Sequence, residues 1–346
     1  MNKRVVFLVL IIIIALLLTG CKNPIDIFKS FISGKPTEQD DDQLPNGLEN
    51  EEDNENLDED FNDLDISDEN TRQITLYYRD VSGYIVPVVR KVNKEEGIAK
   101  AALIALVDNP EIRNELKVLG LEPVLPAGIE IELAIKEDGL IRASFSNEIL
   151  NLGNKKEEEA LVSAIVYTLT EFANIDKVQI LVNNEIRESL THGTKVGEPI
   201  SRGNINNLNN SIEGENEELT LYMYNNPTGQ YTYFVPITKN VSPSSKNIES
   251  ALEELISIKD ECEGLQLSIP DGTKIFSVNM ENGIAHAKFS QHLVQLNNIE
   301  DANNLTKAIA LTLKEFDGVQ GVRLVIDGEN PLESDIINIP AFANSF

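Results

Sequence analysis

The chain has 346 residues, room for about two domains of ordinary size. It lacks Trp and carries only 6% aromatic residues, yet its 41% hydrophobic content is enough for compact cores. The formal charge of -28 excludes binding to bare nucleic acid, whose phosphates would be repelled at long range.

The N-terminus sets the compartment. Lys3 and Arg4 precede an apolar run, Val5 to Leu18, which ends in Leu18-Thr19-Gly20-Cys21. The run is shorter than the ~20 residues a membrane span needs, but it fits the apolar region of a signal peptide behind a basic start. Small residues followed at once by Cys form a lipobox, so Cys21 is the expected site of lipid attachment. The chain is then expected on the outer face of the cytoplasmic membrane, anchored through its N-terminal lipid. With Cys21 lipidated, Cys262 is the one thiol left, and no intramolecular disulfide can form. Glu261 and Glu263 beside Cys262 disfavour its thiolate.

A charged stretch comes next. Between Glu38 and Glu69 there are 16 acidic residues and no Lys or Arg, which leaves -12 for the remainder of the chain. Acid-rich and without periodic apolar residues, this stretch reads as a disordered tether. As a flexible coil, about 50 residues span roughly 40 Å root-mean-square. Asp58, Asp60, Asn62 and Glu69 imitate an EF-hand loop, but Asp63 stands where the sharp turn needs Gly, so no calcium site is expected.

The rest of the chain says nearly the same thing twice. "LTEFANIDKVQILVNNE" (Leu169 to Glu185) returns as "LKEFDGVQGVRLVIDGE" (Leu313 to Glu329). Thr75-Leu76-Tyr77-Tyr78 answers to Thr220-Leu221-Tyr222-Met223, and Val86-Pro87-Val88 to Val235-Pro236-Ile237. Ile98 to Val107 matches Ile248 to Ser257, and Glu137 to Ser146 matches Glu281 to Ser290. Because the elements recur in one order, the chain is a tandem duplication with a polar linker between the copies. Each unit reads β-β-α-β-β-α-β. Asp138-Gly139 and Asn282-Gly283 mark two-residue hairpin turns. Leu161, Ile165, Leu169 and Phe172 fall at helical spacing, as do Leu305, Ile309, Leu313 and Phe316. The expected class is α+β, with helices packed on one face of a mostly antiparallel sheet. In the third strand, Ile129, Ile131, Leu133 and Ile135 are out of phase with Phe276, Val278 and Met280, so one copy carries a bulge.

Two tandem units with "TLYY…VP", the hairpin "DG/NG…A-x-FS", "T-L-x-E-F" and a closing apolar strand, behind a lipobox, resemble the GerM family of sporulation and germination lipoproteins. Its members carry two tandem GerMN domains. The first copy departs from the family's closing Asp-Gly, having Asn183-Asn184 where the second keeps Asp327-Gly328. The resemblance implies a role in spore formation or germination and a likeness to ring-building modules, which assemble by packing the helices of one copy on the sheet of the next. The organisation expected is a signal peptide over 1–21, an acidic tether over 22–71, GerMN-like domains over 72–201 and 219–346, and a linker over 202–218.

No nucleophile elbow, phosphate loop, zinc-protease motif or C-x-x-C is present, and the three His are scattered. The reading is a non-enzymatic assembly module without cofactor or metal. Its expected partners are other sporulation envelope proteins or copies of itself. The alternative is a peptidoglycan-binding module that localises a wall-modifying enzyme. Within "LTLYMYNNPTGQYTYFVP", Leu221 and Met223 form the core face, whereas Tyr222 and Tyr224 point away from it and Tyr231 and Tyr233 follow the turn. These four rings form either a cross-strand ladder or an exposed aromatic interface. Pro87 and Pro236 cannot donate to a ladder, which places their strands at sheet edges.

Overall fold

The computed structural model describes residues 71–93, 97–208, 214–296, 298–329 and 331–346. The signal peptide with Cys21, the tether up to residue 70 and the EF-hand-like residues lie outside them.

The first repeat opens on a hairpin. β1 (Thr71–Asp80) and β2 (Ile85–Asn93) pair antiparallel, from Thr71↔Asn93 to Arg79↔Ile85. Two helices follow, α1 (Ile98–Ile104) and α2 (Pro110–Leu119), and then β3 (Leu121–Glu122), which adds to β1 and gives the order β2-β1-β3. A second sheet contains β4 (Ile131–Ile135), β5 (Leu140–Phe145), β6 (Lys177–Val182) and β7 (Ile200–Ser201), in that order. α3 (Lys155–Leu169) connects β5 to β6, and those two strands run parallel.

The second repeat follows the same plan. β8 (Glu217–Asn225) and β9 (Tyr233–Val241) form a hairpin, followed by α4 (Ile248–Ser257). β10 (Ile275–Glu281) and β11 (Ile284–Phe289) are antiparallel. α5 (Ile299–Lys314) then leads to β12 (Gly321–Ile326), parallel to β11, with β13 (Leu332–Glu333) and β14 (Ile337–Asn338) beside it. The expected α+β order is present in both copies, and α2 is an additional helix in the first.

Local chemistry accounts for the elements. α2, α3, α4 and α5 each begin on an Asn (109, 154, 247 and 298) whose side chain accepts a first-turn amide. Asp138-Gly139, Asn282-Gly283 and also Asn183-Asn184 all have positive φ, so the first copy keeps its closing turn without a Gly. Asn tolerates the left-handed region because its short amide bonds locally. In α3 the buried residues run all the way round: Leu161, Val162, Ala164, Ile165, Val166, Tyr167, Thr168 and Leu169. The reason is that α3 packs against β1 and β2 of one sheet and β6 of the other. A helix enclosed in this way loses its polar face.

The bulge lies in the second copy. The register of β10 on β11 shifts between Ile275 and Ser277, which leaves Phe276 exposed and lets Val278 face Ala287. In the unbulged β4, Leu133 faces Ala143, the equivalent residue. One extra residue thus brings the second copy's apolar side chains back into phase.

The contacts divide the described chain differently from the repeats. Residues 247–258 and 267–339 form one compact unit, and residues 71–246, 259–266 and 340–346 the other. The β8–β9 hairpin therefore belongs with the first repeat, and so does the C-terminal tail.

Candidate interaction surface

Within that larger unit, β2 and β9 are edge strands, as their prolines require. Residues 85, 87 and 89 on β2 and 234, 236 and 238 on β9 turn their backbone groups to the open edge, where a missing proline N–H breaks no ladder bond. An open edge with free N–H and C=O groups invites unwanted pairing. Here the two edges are brought together and closed by two asparagines.

Asn206 accepts from Ile85 N at 2.7 Å, and its Nδ2 donates to Ile85 O and Pro236 O, both at 2.8 Å. Asn344 accepts from Phe234 N at 2.7 Å, and its Nδ2 donates to Phe234 O at 2.8 Å and Pro87 O at 2.7 Å. Ile85 and Phe234 are equivalent positions of the two repeats, as are Pro87 and Pro236. Each asparagine therefore grips its own repeat's strand at both backbone groups and reaches the proline carbonyl of the other. Backbone bonds follow the same pattern: Val89 N donates to Asn344 O, and Thr238 N to Ile205 O. Two carboxamides stand where a peptide ladder would otherwise run.

The hairpin tips are seated reciprocally. Thr228 Oγ1 donates to Val118 O at the end of α2, and a Cβ on Gly120 would collide with the Pro227 ring. On the other side, a Cβ on Gly264 would collide with Ser82 Oγ in the β1–β2 turn. The extra helix α2 thus forms the seat for the second repeat's turn. The linker is fastened as well. Arg202 pairs with Glu171, donates to Tyr167 O at 3.0 Å and lies over the Tyr167 ring, 4.7 Å from its centroid. Glu171 also accepts from the Tyr77 hydroxyl at 2.8 Å.

The four tyrosines do not form one exposed patch. Tyr224 and Tyr233 are buried, so the expectation of a shared aromatic surface is corrected for these two rings. The face opposite Leu221 and Met223 is covered as well, and Tyr224 rests on Phe234 with centroids 5.8 Å apart. Tyr233 donates to Asp80 Oδ2 at 3.2 Å, which joins the second repeat's hairpin to the first repeat's turn. Tyr222 is half-buried, opposite Pro236. Tyr231 is 44% exposed and meets Phe346, equally exposed, edge to face at 5.6 Å. Beside Phe346 lies a cavity of about 400 Å³ lined also by Tyr78, Arg90, Ile112 and Glu115.

Other titratable groups have structural work. The buried Glu158 accepts from His192 N and Thr194 N, closing the loop over α3, and His192 Nε2 donates to Leu152 O at 2.7 Å. His292 lies 3.3 Å from Ser290 Oγ. Burial, then the Glu261 charge, pushes the Cys262 thiol up to about 11. Among the described residues no group of His, Cys, Asp and Glu could hold a metal ion, and no helix is long and apolar enough to cross a membrane.

The Germane family model, described as "Sporulation and spore germination", matches residues 75–188 and 220–332, one match per repeat. The chain belongs to this family. Its similarity extends to the spore germination protein GerM of Bacillus subtilis (strain 168): 30% identity over 270 residues, covering 75% of this chain and 73% of that one. The solved tandem GerMN domains of the sporulation protein GerM from Bacillus subtilis superpose with a TM-score of 0.63 at 29% identity. That match covers 80% of this chain and 99% of that one. As a Germane-family chain it is a homologue of sporulation and germination proteins that carry no enzyme's name. Sequence reasoning found the duplication and the proline edges but missed Asn206 and Asn344. The one signal for them is that an Asn follows each repeat shortly after its last apolar strand segment.

Proposed function

We propose that this chain is a non-enzymatic, lipid-anchored assembly module of spore formation or germination, working on the outer face of the cytoplasmic membrane. The observation that carries the reading is the joint. The opening hairpins of the two repeats are fixed edge to edge by side-chain amides, an arrangement suited to presenting a surface. Among the described residues no group of His, Cys, Asp and Glu could hold a metal ion. Cys21 in its lipobox supports the anchor, and the acidic tether supports a folded part held away from anionic lipid. Other envelope proteins of the sporulating cell, or copies of this chain, are the partners this reading calls for.

A Cys21→Ala chain tests the anchor, read by incorporation of a fatty-acid analogue. Equal labelling of both forms overturns it. Deletion of the gene, scored for spore number and then for germination of the spores formed, tests the role. A full count of spores that germinate normally overturns that.

A second reading, recognition of peptidoglycan, rests on the exposed Tyr231–Phe346 pair beside the 400 Å³ cavity. Aromatic faces of this kind stack on sugars or on a protein partner. Retention on purified sporulating-cell peptidoglycan that is lost in Tyr231→Ala/Phe346→Ala would favour this reading over the first.

A further inference from the structure

The joint takes the same parts from each side: an outward Ile85 or Phe234, a proline carbonyl, and an asparagine from the tail that follows each repeat. Nothing in these contacts requires both edges to come from one chain. If the joint opens, each edge exposes N–H and C=O groups whose matching complement is another edge of the same design. We propose that the proline-bearing edge of each repeat, with the asparagine of its tail, is a homotypic docking element whose partner is a second copy of this chain. The first repeat of one molecule then closes on the second repeat of another through the contacts seen here. This rests on the functional reading above, in which copies of this chain are among the partners, and deepens it by naming the surface that binds them.

What holds the joint within one chain is the linker. Leu208 N donates to Thr238 O on the open edge of β9, whereas Glu217 and Thr220 pair with Val241 and Thr238 on its other side. Leu208 and Glu217 therefore lie on opposite sides of β9. That is two strand spacings, about 10 Å, and three residues along the strand, about another 10 Å. The straight-line separation is about 14 Å. Deleting residues 209–213 leaves four peptide units, whose reach is at most about 14 Å. The reach then only equals the separation, so closure within one chain strains the Leu208–Thr238 bond, whereas exchange with a second chain keeps every contact. Shortened hinges favour this kind of exchange.

The test is the full chain with residues 209–213 deleted, followed by light scattering after size exclusion and by amide exchange at Ile85 and Phe234. A dimer in which both amides exchange as slowly as in the undeleted chain is expected. A monomer, or a dimer with both amides exchanging freely, overturns the proposal. If circular dichroism shows the deleted chain unfolded, the undeleted chain decides, refolded from denaturant at micromolar up to roughly millimolar concentration, where a linker's effective concentration is matched. The dimer fraction should rise with concentration and vanish in Asn206→Ala/Asn344→Ala. A monomer throughout, or a dimer that persists in the double variant, overturns it.

Discussion

The Tyr233 hydroxyl donates to Asp80 Oδ2 at 3.2 Å, and Asn225 Nδ2 reaches the same phenolic oxygen at 3.2 Å. Asn225 holds in the second repeat the position that Asp80 holds in the first. A buried carboxylate and its amide counterpart thus meet on one hydroxyl, and the charge at this contact comes from the first repeat alone. Asp80 Oδ1 is occupied too, accepting from Ser82 N at 2.9 Å and Tyr84 N at 2.8 Å.

Burial raises the Asp80 pKa above its ordinary 3.8, against the lowering effect of those hydrogen bonds. A raised carboxyl pKa means that the folded chain binds this proton more tightly than the unfolded one. Its contribution is therefore most favourable near pH 4 and is lost as pH rises through the folded-state value. Asp80→Asn keeps an acceptor for Ser82 and Tyr84 and removes the titration. The difference in melting temperature, wild type minus variant, should fall as pH goes from 4 to 7. A difference that stays flat over that range would show that Asp80 is not destabilised by its charge.

Cys262 is 4% exposed, with its pKa pushed up to about 11 by burial and by Glu261. Thiolate is the attacking species, so native Cys262 should be nearly inert. In a Cys21→Ala chain at pH 8, a disulfide reagent should modify Cys262 slower by about 100-fold or more than in denaturant. Comparable rates in the two conditions would mean that the loop carrying it opens freely.

The tyrosines separate into core and surface. Tyr224→Ala empties a packed site against Phe234 and should cost about 3–5 kcal/mol in urea unfolding. Tyr231→Ala removes a half-exposed ring and should stay within about 0.5 kcal/mol. If both variants unfold at the same midpoint, the division of this hairpin into buried and presented rings is mistaken.

What was legible in the sequence was local. The Asp-Gly and Asn-Gly turns, the proline edges and the α3 and α5 stripes each depend on neighbours within a few residues, and the family motifs sit on them. The arrangement of the two edges was not legible. Asn206 finds its partners 121 and 30 positions away, and Asn344 finds its partners 257 and 110 positions away. An Asn in an Asn-rich linker resembles any solvated residue until the edges it joins are known. Tyr224 and Tyr233 misled for a related reason. Period-2 alternation shows which side chains share a face, not whether a second layer covers it. Glu171 holds Arg202 and Tyr77, 31 and 94 positions away, a contact that depends on where the linker begins.

The bulge gives the sharpest contrast between the copies. In β10, three steps separate Ile275, opposite Phe289, from Val278, opposite Ala287, whereas in β4 two steps separate Ile131, opposite Phe145, from Leu133, opposite Ala143. Deleting Phe276 should therefore convert β10 to the spacing of β4 and remove a ring that is 49% exposed, with Val278 still facing inward. The stability change should be within about 1 kcal/mol, since no buried side chain is lost. Deleting Glu132 from β4 has the opposite effect: it leaves one step where two are needed, and either Ile131 or Leu133 turns outward. That should cost about 2–5 kcal/mol, the range for losing a buried aliphatic side chain. Urea unfolding of the two deletions gives the comparison directly. Equal losses would mean that Phe276 is not the extra residue and that the phase of the second copy is restored elsewhere.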